Sequence, residues 1–211
     1  SYNKAATEVG GDFFFVFPRG PGETCFAIGD VSGKGVPASL LMAQTLSAMR
    51  FVFGTTGSPA EVLAALNDTL HDQIVRGMFV TTLVGRMQPG ERRVEIASAG
   101  HCRPWHVRAD GSPGEILTAG ALPLGVLPQV VYSQISVDLA PGDFLVCYTD
   151  GLSESRDPRT EQFFDERLGE VLQGRFDNPQ AVVERLVDEE ARHRNSTPAR
   201  DDLTLLVGGF R

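Results

Sequence analysis

The sequence predicts an α+β layered fold, with antiparallel sheets and helices packed outside them. Two observations carry this. The elements run as strands, two helices, several strands, two helices and one strand, without the regular βαβ alternation of a parallel sheet. Several of the strand candidates are joined by short Gly/Pro turns, the mark of hairpins.

Phe13 to Phe17 is a dense aromatic and β-branched run closed by Pro18-Arg19-Gly20-Pro21-Gly22, and Thr24 to Ile28 is its hairpin partner. Gly29 to Gly35 forms a glycine-rich loop. A helix over Val36 to Phe53 follows, with Leu40, Leu41, Gln44, Thr45, Ala48 and Met49 at helical spacing. Ser58-Pro59-Ala60-Glu61 is a capping box with proline in the first turn; Val62, Leu63, Leu66 and Leu70 form the apolar stripe of a second helix, which fades near Arg76-Gly77. Phe79 to Met87 and Arg92 to Ser98 are strands about the turn Gln88-Pro89-Gly90-Glu91. Pro104 to Val107, Gln134 to Leu139 and Asp143 to Tyr148 are further strands, with Pro141-Gly142-Asp143 turning between the last two. Helices follow at about Glu161 to Leu172 and at Pro179 to Arg194, the second started by Asn178-Pro179. Leu203 to Val207 closes the chain as a strand. No repeat, low-complexity segment or interdomain linker interrupts residues 1–211, so they read as a single domain. The start at Ser1, almost directly on Gly10-Gly11-Asp12, reads as a domain excised from a longer chain with an N-terminal regulatory domain.

Charge narrows the function classes. Nineteen Lys+Arg stand against twenty-seven Asp+Glu in 211 residues, a net charge of −8. That argues against a general nucleic-acid binder and against an anionic membrane surface. It leaves anionic substrates open, because bound metal ions invert local charge. Cys25, Cys102 and Cys147 are far apart and odd in number, which supports neither a disulfide framework nor a cysteine zinc site; a reducing, cytoplasmic setting is the expectation. No signal peptide is visible, and no apolar run approaches the length of a membrane helix.

The acidic residues show a pattern. Asp12 follows Gly10-Gly11 and precedes a strand; Asp30 ends the run Cys25 to Gly29; Asp150 ends Phe144 to Thr149 and is followed by Gly151; Asp201-Asp202 precede the last strand. Strand ends of one sheet converge in space, and converging carboxylates repel unless a cation neutralises them. Oxygen ligands alone suit a hard ion, Mg²⁺ or Mn²⁺. Glycine beside a ligand lets carbonyls and waters approach closely. The blander reading is that strand-edge aspartates form turns.

Three nucleotide motifs fail, one on spacing and two on a missing acid. Gly29 to Lys34 has three residues where a P-loop needs four. Gly33-Lys34-Gly35-Val36-Pro37-Ala38 matches G-x-G-x-x-A, but the segment about twenty residues on, Arg50 to Thr56, has no acid for a ribose. Gly10-Gly11-Asp12-Phe13-Phe14 echoes the diguanylate cyclase signature, with Phe13 where a second acid belongs.

Taken in order, Glu8-Val9-Gly10-Gly11-Asp12-Phe13, Gly29-Asp30-Val31-Ser32-Gly33-Lys34-Gly35, Ser98-Ala99-Gly100-His101, Tyr148-Thr149-Asp150-Gly151-Leu152-Ser153-Glu154 and Asp201-Asp202-Leu203-Thr204-Leu205 resemble the metal-dependent protein Ser/Thr phosphatases of the protein phosphatase 2C type, in their bacterial SpoIIE/RsbU-like branch. The resemblance implies an α-β-β-α sandwich of two antiparallel β-sheets flanked by helices, and two Mn²⁺ or Mg²⁺ ions. It implies that Asp30 bridges both metals, that the Val31 carbonyl binds one, that Asp150 and Asp201 hold the other, and that Asp12 ligates directly or through water. Asp202 is expected behind the ligands, and Gly151 to let the chain turn beside Asp150. The implied activity is metal-assisted hydrolysis of phosphoserine or phosphothreonine on a protein. An anti-sigma-factor antagonist is the implied substrate, and an upstream sensor or receiver domain the implied regulator.

Phe15 stands where relatives usually carry an acid, and the phosphate-binding arginine of eukaryotic relatives has no counterpart; Lys34 or Arg19 is the substitute. His101 is read as a structural histidine holding the Gly100 turn, with general acid toward the leaving oxygen as the alternative. His71 and His193 are read as solvated, His106 as packing or surface, Cys25 and Cys147 as core, and Asp188-Glu189-Glu190 as a solvated helix face. Two other classes stay open: a phosphatase fold that has lost catalysis and serves as a binding module, and a hydrolase of small phosphate esters.

Overall fold

The computed structural model describes residues 1–5, 10–20, 22–74, 77–88, 90–159, 161–163 and 165–210. The strands are β1 (Tyr2–Lys4), β2 (Phe13–Pro18), β3 (Thr24–Val31), β4 (Val80–Gln88), β5 (Arg93–Ala99), β6 (Trp105–Val107), β7 (Pro113–Glu115), β8 (Gln134–Asp138), β9 (Phe144–Tyr148) and β10 (Leu203–Gly208). The helices are α1 (Val36–Thr55), α2 (Pro59–Leu70), α3 (Asp150–Ser153), α4 (Asp165–Val171) and α5 (Pro179–Arg194). They build two five-stranded sheets, ordered β1-β10-β9-β6-β7 and β2-β3-β4-β5-β8. Every strand pair is antiparallel.

Each sheet belongs to its own compact unit. One unit comprises Ser1–Glu8, Cys102–Leu117 and Leu139–Arg211; the other comprises Val9–His101 and Thr118–Asp138. They are called the β10 unit and the β3 unit below.

In the β3 unit, β3 is a central strand because its side chains are nearly all buried, from Cys25 through Ile28 to Val31. Helix α1 lays Ala38, Leu41, Met49, Val52 and Phe53 into the same core as Leu63, Leu66 and Leu70 of α2. Phe15 points at this helix layer: its ring stacks on Phe53 at 5.7 Å and on Phe17 at 6.1 Å. A packing aromatic thus stands where relatives usually have an acid. Contrary to the expectation that no apolar run is long enough, α1 has the length and composition to cross a membrane, alone among the described residues; its Ser, Thr and Gln hide this in a linear scan. Gly54 in its last turn has open space around its Cα, so Gly54→Ala is expected to raise unfolding stability by about 0.5–1 kcal/mol in a urea melt.

Helix α2 starts as its capping box dictates: Ser58 Oγ accepts from Glu61 N at 3.3 Å, and Glu61 Oε2 accepts from Ser58 N at 2.8 Å. It ends at Leu70, short of the Arg76-Gly77 expected, and Arg76 lies outside the described residues. The cause is tertiary. Buried Asn67 accepts from Gly125 N and donates to Leu127 O, each at 2.9 Å, and His71 Nδ1 lies 3.2 Å from Gly125 O. His71 is therefore anchored, where a solvated side chain was expected.

In the β10 unit, β9 and β10 are the buried central pair, joined by register Leu205↔Tyr148 to Gly208↔Leu145. The turn at residues 141–143 links β8 to β9, which lie in different sheets, so no hairpin forms there. Asp143 in that turn is 5% exposed and accepts from His106 Nε2 at 2.7 Å, Ala109 N at 2.8 Å and Ala140 N at 2.9 Å. His106 is thus a hydrogen-bonded anchor. Burial alone pushes the Asp143 carboxyl up, but the His106, Ala109 and Ala140 hydrogen bonds outweigh it and hold it below the usual carboxylate range. A depressed folded-state pKa contributes stability that is complete above the unfolded carboxylate pKa and is lost as pH falls through the lower, folded-state value. Asp143→Ala is expected to cost about 1–3 kcal/mol near neutral pH, and a melting series should show the difference from wild type shrinking in acid.

Helix α5 starts at Asn178, whose Oδ1 accepts from Ala181 N at 3.0 Å. Glu190 on α5 corrects the reading of a solvated acidic face: it is buried, and it accepts from Ser155 Oγ at 2.6 Å and Arg194 Nε at 3.0 Å. His193 likewise has partners, Glu161 O at 3.1 Å and the Phe163 ring at 5.2 Å. Helix α4 occupies Asp165–Val171, shorter than the Glu161 to Leu172 expected. Cys25 and Cys147 are core residues as read; burial pushes the Cys25 thiol up to about 11 and the Cys147 thiol upward as well.

Candidate functional site

The β3 unit carries Asp12, Asp30 and Val31. Strand β3 runs on through Val31, so Asp30 is a strand residue opposite Thr81 of β4, where a loop position was expected. Phe13 pairs with Gly29 across the β2–β3 hairpin. Asp12 precedes Phe13 and Asp30 follows Gly29, so the antiparallel register brings both aspartates to one end of the hairpin. Asp12 is buried and Asp30 half-buried. Gly11 packs onto this end: a Cβ there would stand 2.8 Å from the Val31 carbonyl oxygen and 3.1 Å from Asp30 Oδ1. Gly29 is equally constrained, since a Cβ would lie 2.5 Å from both Phe13 Cζ and the Thr81 carbonyl.

Two loops flank the hairpin end. Ser32 is tied to Phe79, accepting from its N–H at 2.8 Å and donating its own N–H to Phe79 O at 3.0 Å. Beyond it, Gly33 and Gly35 take φ of 94° and 75°, which favour glycine, and exposed Lys34 sits between them. Ser39 Oγ, at the start of α1, donates to Gly35 O at 3.0 Å and reaches Gly10 O at 3.4 Å. The other loop holds His101, which is buried. Its amide donates to Ser98 Oγ at 3.2 Å across Gly100, whose φ is 67°, and its Nδ1 lies 3.1 Å from Thr81 Oγ1. Thr81 Oγ1 in turn stands 3.5 Å from the Asp30 carbonyl. Thr81 thus couples His101 to the Asp30 strand; no linear signal marks it, because the link is made by cross-strand register.

The β10 unit carries Asp150, Asp201 and Asp202. β9 ends at Tyr148, and buried Thr149 ties the strand end to β10: its N–H donates to Thr204 O at 3.1 Å and its Oγ1 accepts from Thr204 N at 2.9 Å. The one-turn helix α3 then opens on Asp150. Burial pushes the Asp150 carboxyl above the usual carboxylate range, and the Asp201 and Glu154 charges push it further. Asp201 is exposed, and its Oδ1 accepts from Asp202 N at 3.0 Å; Asp202 itself is buried. Gly151 has no room for a side chain, since a Cβ there would overlap the Asp202 carbonyl.

The structure therefore groups Asp12 with Asp30 and Val31 in one unit, and Asp150 with Asp201 and Asp202 in the other. Among the described residues no three His, Cys, Asp or Glu side chains form a group that would hold a metal ion.

Two antiparallel sheets with flanking helices place the chain in a structural class. It superposes on the SiaA-PP2C domain of Pseudomonas aeruginosa with a TM-score of 0.86 at 23% identity, covering 100% of this chain and 85% of that one. The fold is that of the PP2C phosphatase domains. The chain belongs to the stage II sporulation protein E (SpoIIE) family, whose model matches residues 20–211. It is similar to phosphoserine phosphatase RsbU of Bacillus subtilis (strain 168), 29% identical over 205 residues, covering 96% of this chain and 60% of the relative. It also superposes on the RsbU and RsbW domains of a Mycobacterium tuberculosis protein with a TM-score of 0.76 at 29% identity, covering 95% of this chain and 55% of that one. The chain thus spans about 60% of the length of the curated relative.

Proposed function

We propose that the chain is the catalytic domain of a metal-dependent serine/threonine protein phosphatase acting on phosphoserine or phosphothreonine of a regulatory protein. The observation that carries this is the hairpin end where Asp12 and Asp30 meet, with Gly11, which has no Cβ, packed against the Val31 carbonyl and the Asp30 carboxylate. In this reading residues 1–211 act as one catalytic domain. Asp12, Asp30 and the Val31 carbonyl of the β3 unit, with Asp150 and Asp201 of the β10 unit, are the residues that would hold two Mn²⁺ or Mg²⁺ ions. The donor set is all oxygen, which suits hard divalent ions. When bound, such ions lower the pKa of a water nucleophile and neutralise the phosphoryl oxygens.

The chain's own residues prepare this chemistry. Asp150 beside the Asp201 charge is a pair that a cation relieves. The Asp202 amide orients Asp201, Gly151 lets the chain turn against the Asp202 backbone, and His101 positions the Asp30 strand through Thr81. Lys34, on the loop after β3, is the proposed phosphate contact.

Similarity to RsbU supports a phosphorylated anti-sigma-factor antagonist as substrate, a regulatory sensor or receiver domain as partner, and a cytoplasmic setting. Phosphate release from p-nitrophenyl phosphate and from a phosphoserine protein, measured with Mn²⁺, with Mg²⁺ and with EDTA, tests the reading. Activity is expected with either metal and none with the chelator. Metal-supplied wild type no faster than Asp30→Ala would refute it.

A further inference from the structure

Glu190 joins the two segments that carry Asp150 and Asp201. It continues the stripe of α5 that buries Val182, Val183 and Leu186, and is itself only 7% exposed. An apolar side chain at this position would extend the core. A buried ion pair is a poor source of stability, because desolvating two charges offsets their attraction. What such a pair can fix is geometry, and here it is directed at two particular segments.

Toward α3, Glu190 Oε1 accepts from Ser155 Oγ at 2.6 Å. Ser155 N donates to Leu152 O at 3.3 Å and Glu154 N to Asp150 O at 2.7 Å, so Ser155 closes the turn that opens on Asp150. Toward β10, the same Oε1 accepts from Arg194 Nε at 3.0 Å, and Arg194 Nη1 donates to Thr197 O at 2.6 Å. Thr197 N returns a bond to Arg194 O at 2.8 Å. These bonds close a turn in which Asn195 and Ser196 hold φ of 44° and 72°. Residues other than glycine seldom occupy that region, and they stay there only where the surroundings enforce it. The chain leaves the turn along Pro198-Ala199-Arg200 and reaches Asp201. One carboxylate oxygen therefore braces both arms, and every part of the network lies in the β10 unit.

We propose that Glu190 is a positioning residue: from α5 it holds the α3 turn that begins at Asp150 and, through Arg194, the loop that delivers Asp201, so that the two carboxylates stay together for a divalent cation. This rests on the phosphatase reading above and adds a residue to it that touches neither metal nor substrate.

The test is calorimetric Mn²⁺ titration of the metal-free protein, with amide hydrogen exchange of residues 152–155 and 199–202 and Mn²⁺-dependent hydrolysis of p-nitrophenyl phosphate. Glu190→Leu keeps the bulk and removes both bonds. It should weaken Mn²⁺ binding about tenfold, as loss of a group that orients metal ligands does, and speed exchange in both segments. Glu190→Gln keeps an oxygen that accepts both bonds, so Mn²⁺ affinity and exchange should stay within twofold of wild type. Val182→Ala, a cavity on the same helix face with no link to either arm, should lower the melting temperature and leave Mn²⁺ affinity unchanged. Ser155→Ala removes one arm and almost no bulk, and should weaken Mn²⁺ binding about threefold; if Glu190→Leu does not fold, an unchanged affinity in Ser155→Ala would overturn the proposal. Wild-type Mn²⁺ affinity and exchange in Glu190→Leu, or an equal loss of affinity in Val182→Ala, would overturn the positioning role alone. A wild type that hydrolyses no p-nitrophenyl phosphate with Mn²⁺ would overturn the phosphatase reading and this role with it.

Discussion

Asp30→Asn is expected to lower kcat/KM for p-nitrophenyl phosphate by at least about 10³-fold, roughly 4 kcal/mol of transition-state stabilisation. Asparagine keeps the volume and the strand propensity but removes the charge that the proposed cations need. Asp30 pairs with Thr81 through its backbone, which the substitution leaves intact, so the thermal midpoint without metal should stay within a few degrees of wild type. Calorimetric titration should show Mn²⁺ affinity falling with activity. Unchanged metal binding together with unchanged turnover would remove Asp30 from the site.

Gly151→Ala is expected to destabilise the β10 unit by about 3 kcal/mol, read as a drop of about 6–12 °C in melting temperature. The added Cβ meets the Asp202 carbonyl, a backbone atom that cannot rotate away, so either α3 or the start of β10 must shift. Both segments carry proposed ligands, Asp150 and Asp201, so activity should fall further than stability alone explains. Gly120→Ala is the control, because nothing lies within 4 Å of its would-be Cβ. A Gly151→Ala protein with wild-type melting and wild-type metal affinity would show that the α3 turn has room to spare.

Which elements were legible follows from how each is stabilised. Hairpins with local turns and helices with local caps carry their own signals, so β2–β3, β4–β5, the start of α2 and α5 fall close to where composition places them. Strands β1 and β7 escaped sequence reading because each has three residues and no hydrophobic alternation; they exist as strands by pairing with β10 and β6. The single turn α3 is too short for a periodicity. The end of α2 is set by Asn67 and His71 reaching to residues 125 and 127, a contact more than fifty positions away.

The candidate site divides in the same way. Its aspartates were visible because each sits at the margin of an apolar run beside glycine or another carboxylate, a local pattern. Their grouping was not. Asp12 and Asp30 share a hairpin end by register, Asp150 and Asp201 interact because β9 pairs with β10, and Thr81 joins His101 to the Asp30 strand from a position with no motif. Glu190 gave the opposite lesson: in sequence it is one acid of three on a helix, and only folding buries it against Ser155 and Arg194. By itself, then, the sequence determined the fold class, the order of elements and the residue types available for metal chemistry, since these depend on periodicity and turn residues within a few positions. Tertiary structure alone decided which carboxylates meet and which glycines have no room for a Cβ, because those depend on strand pairing between residues distant in the chain.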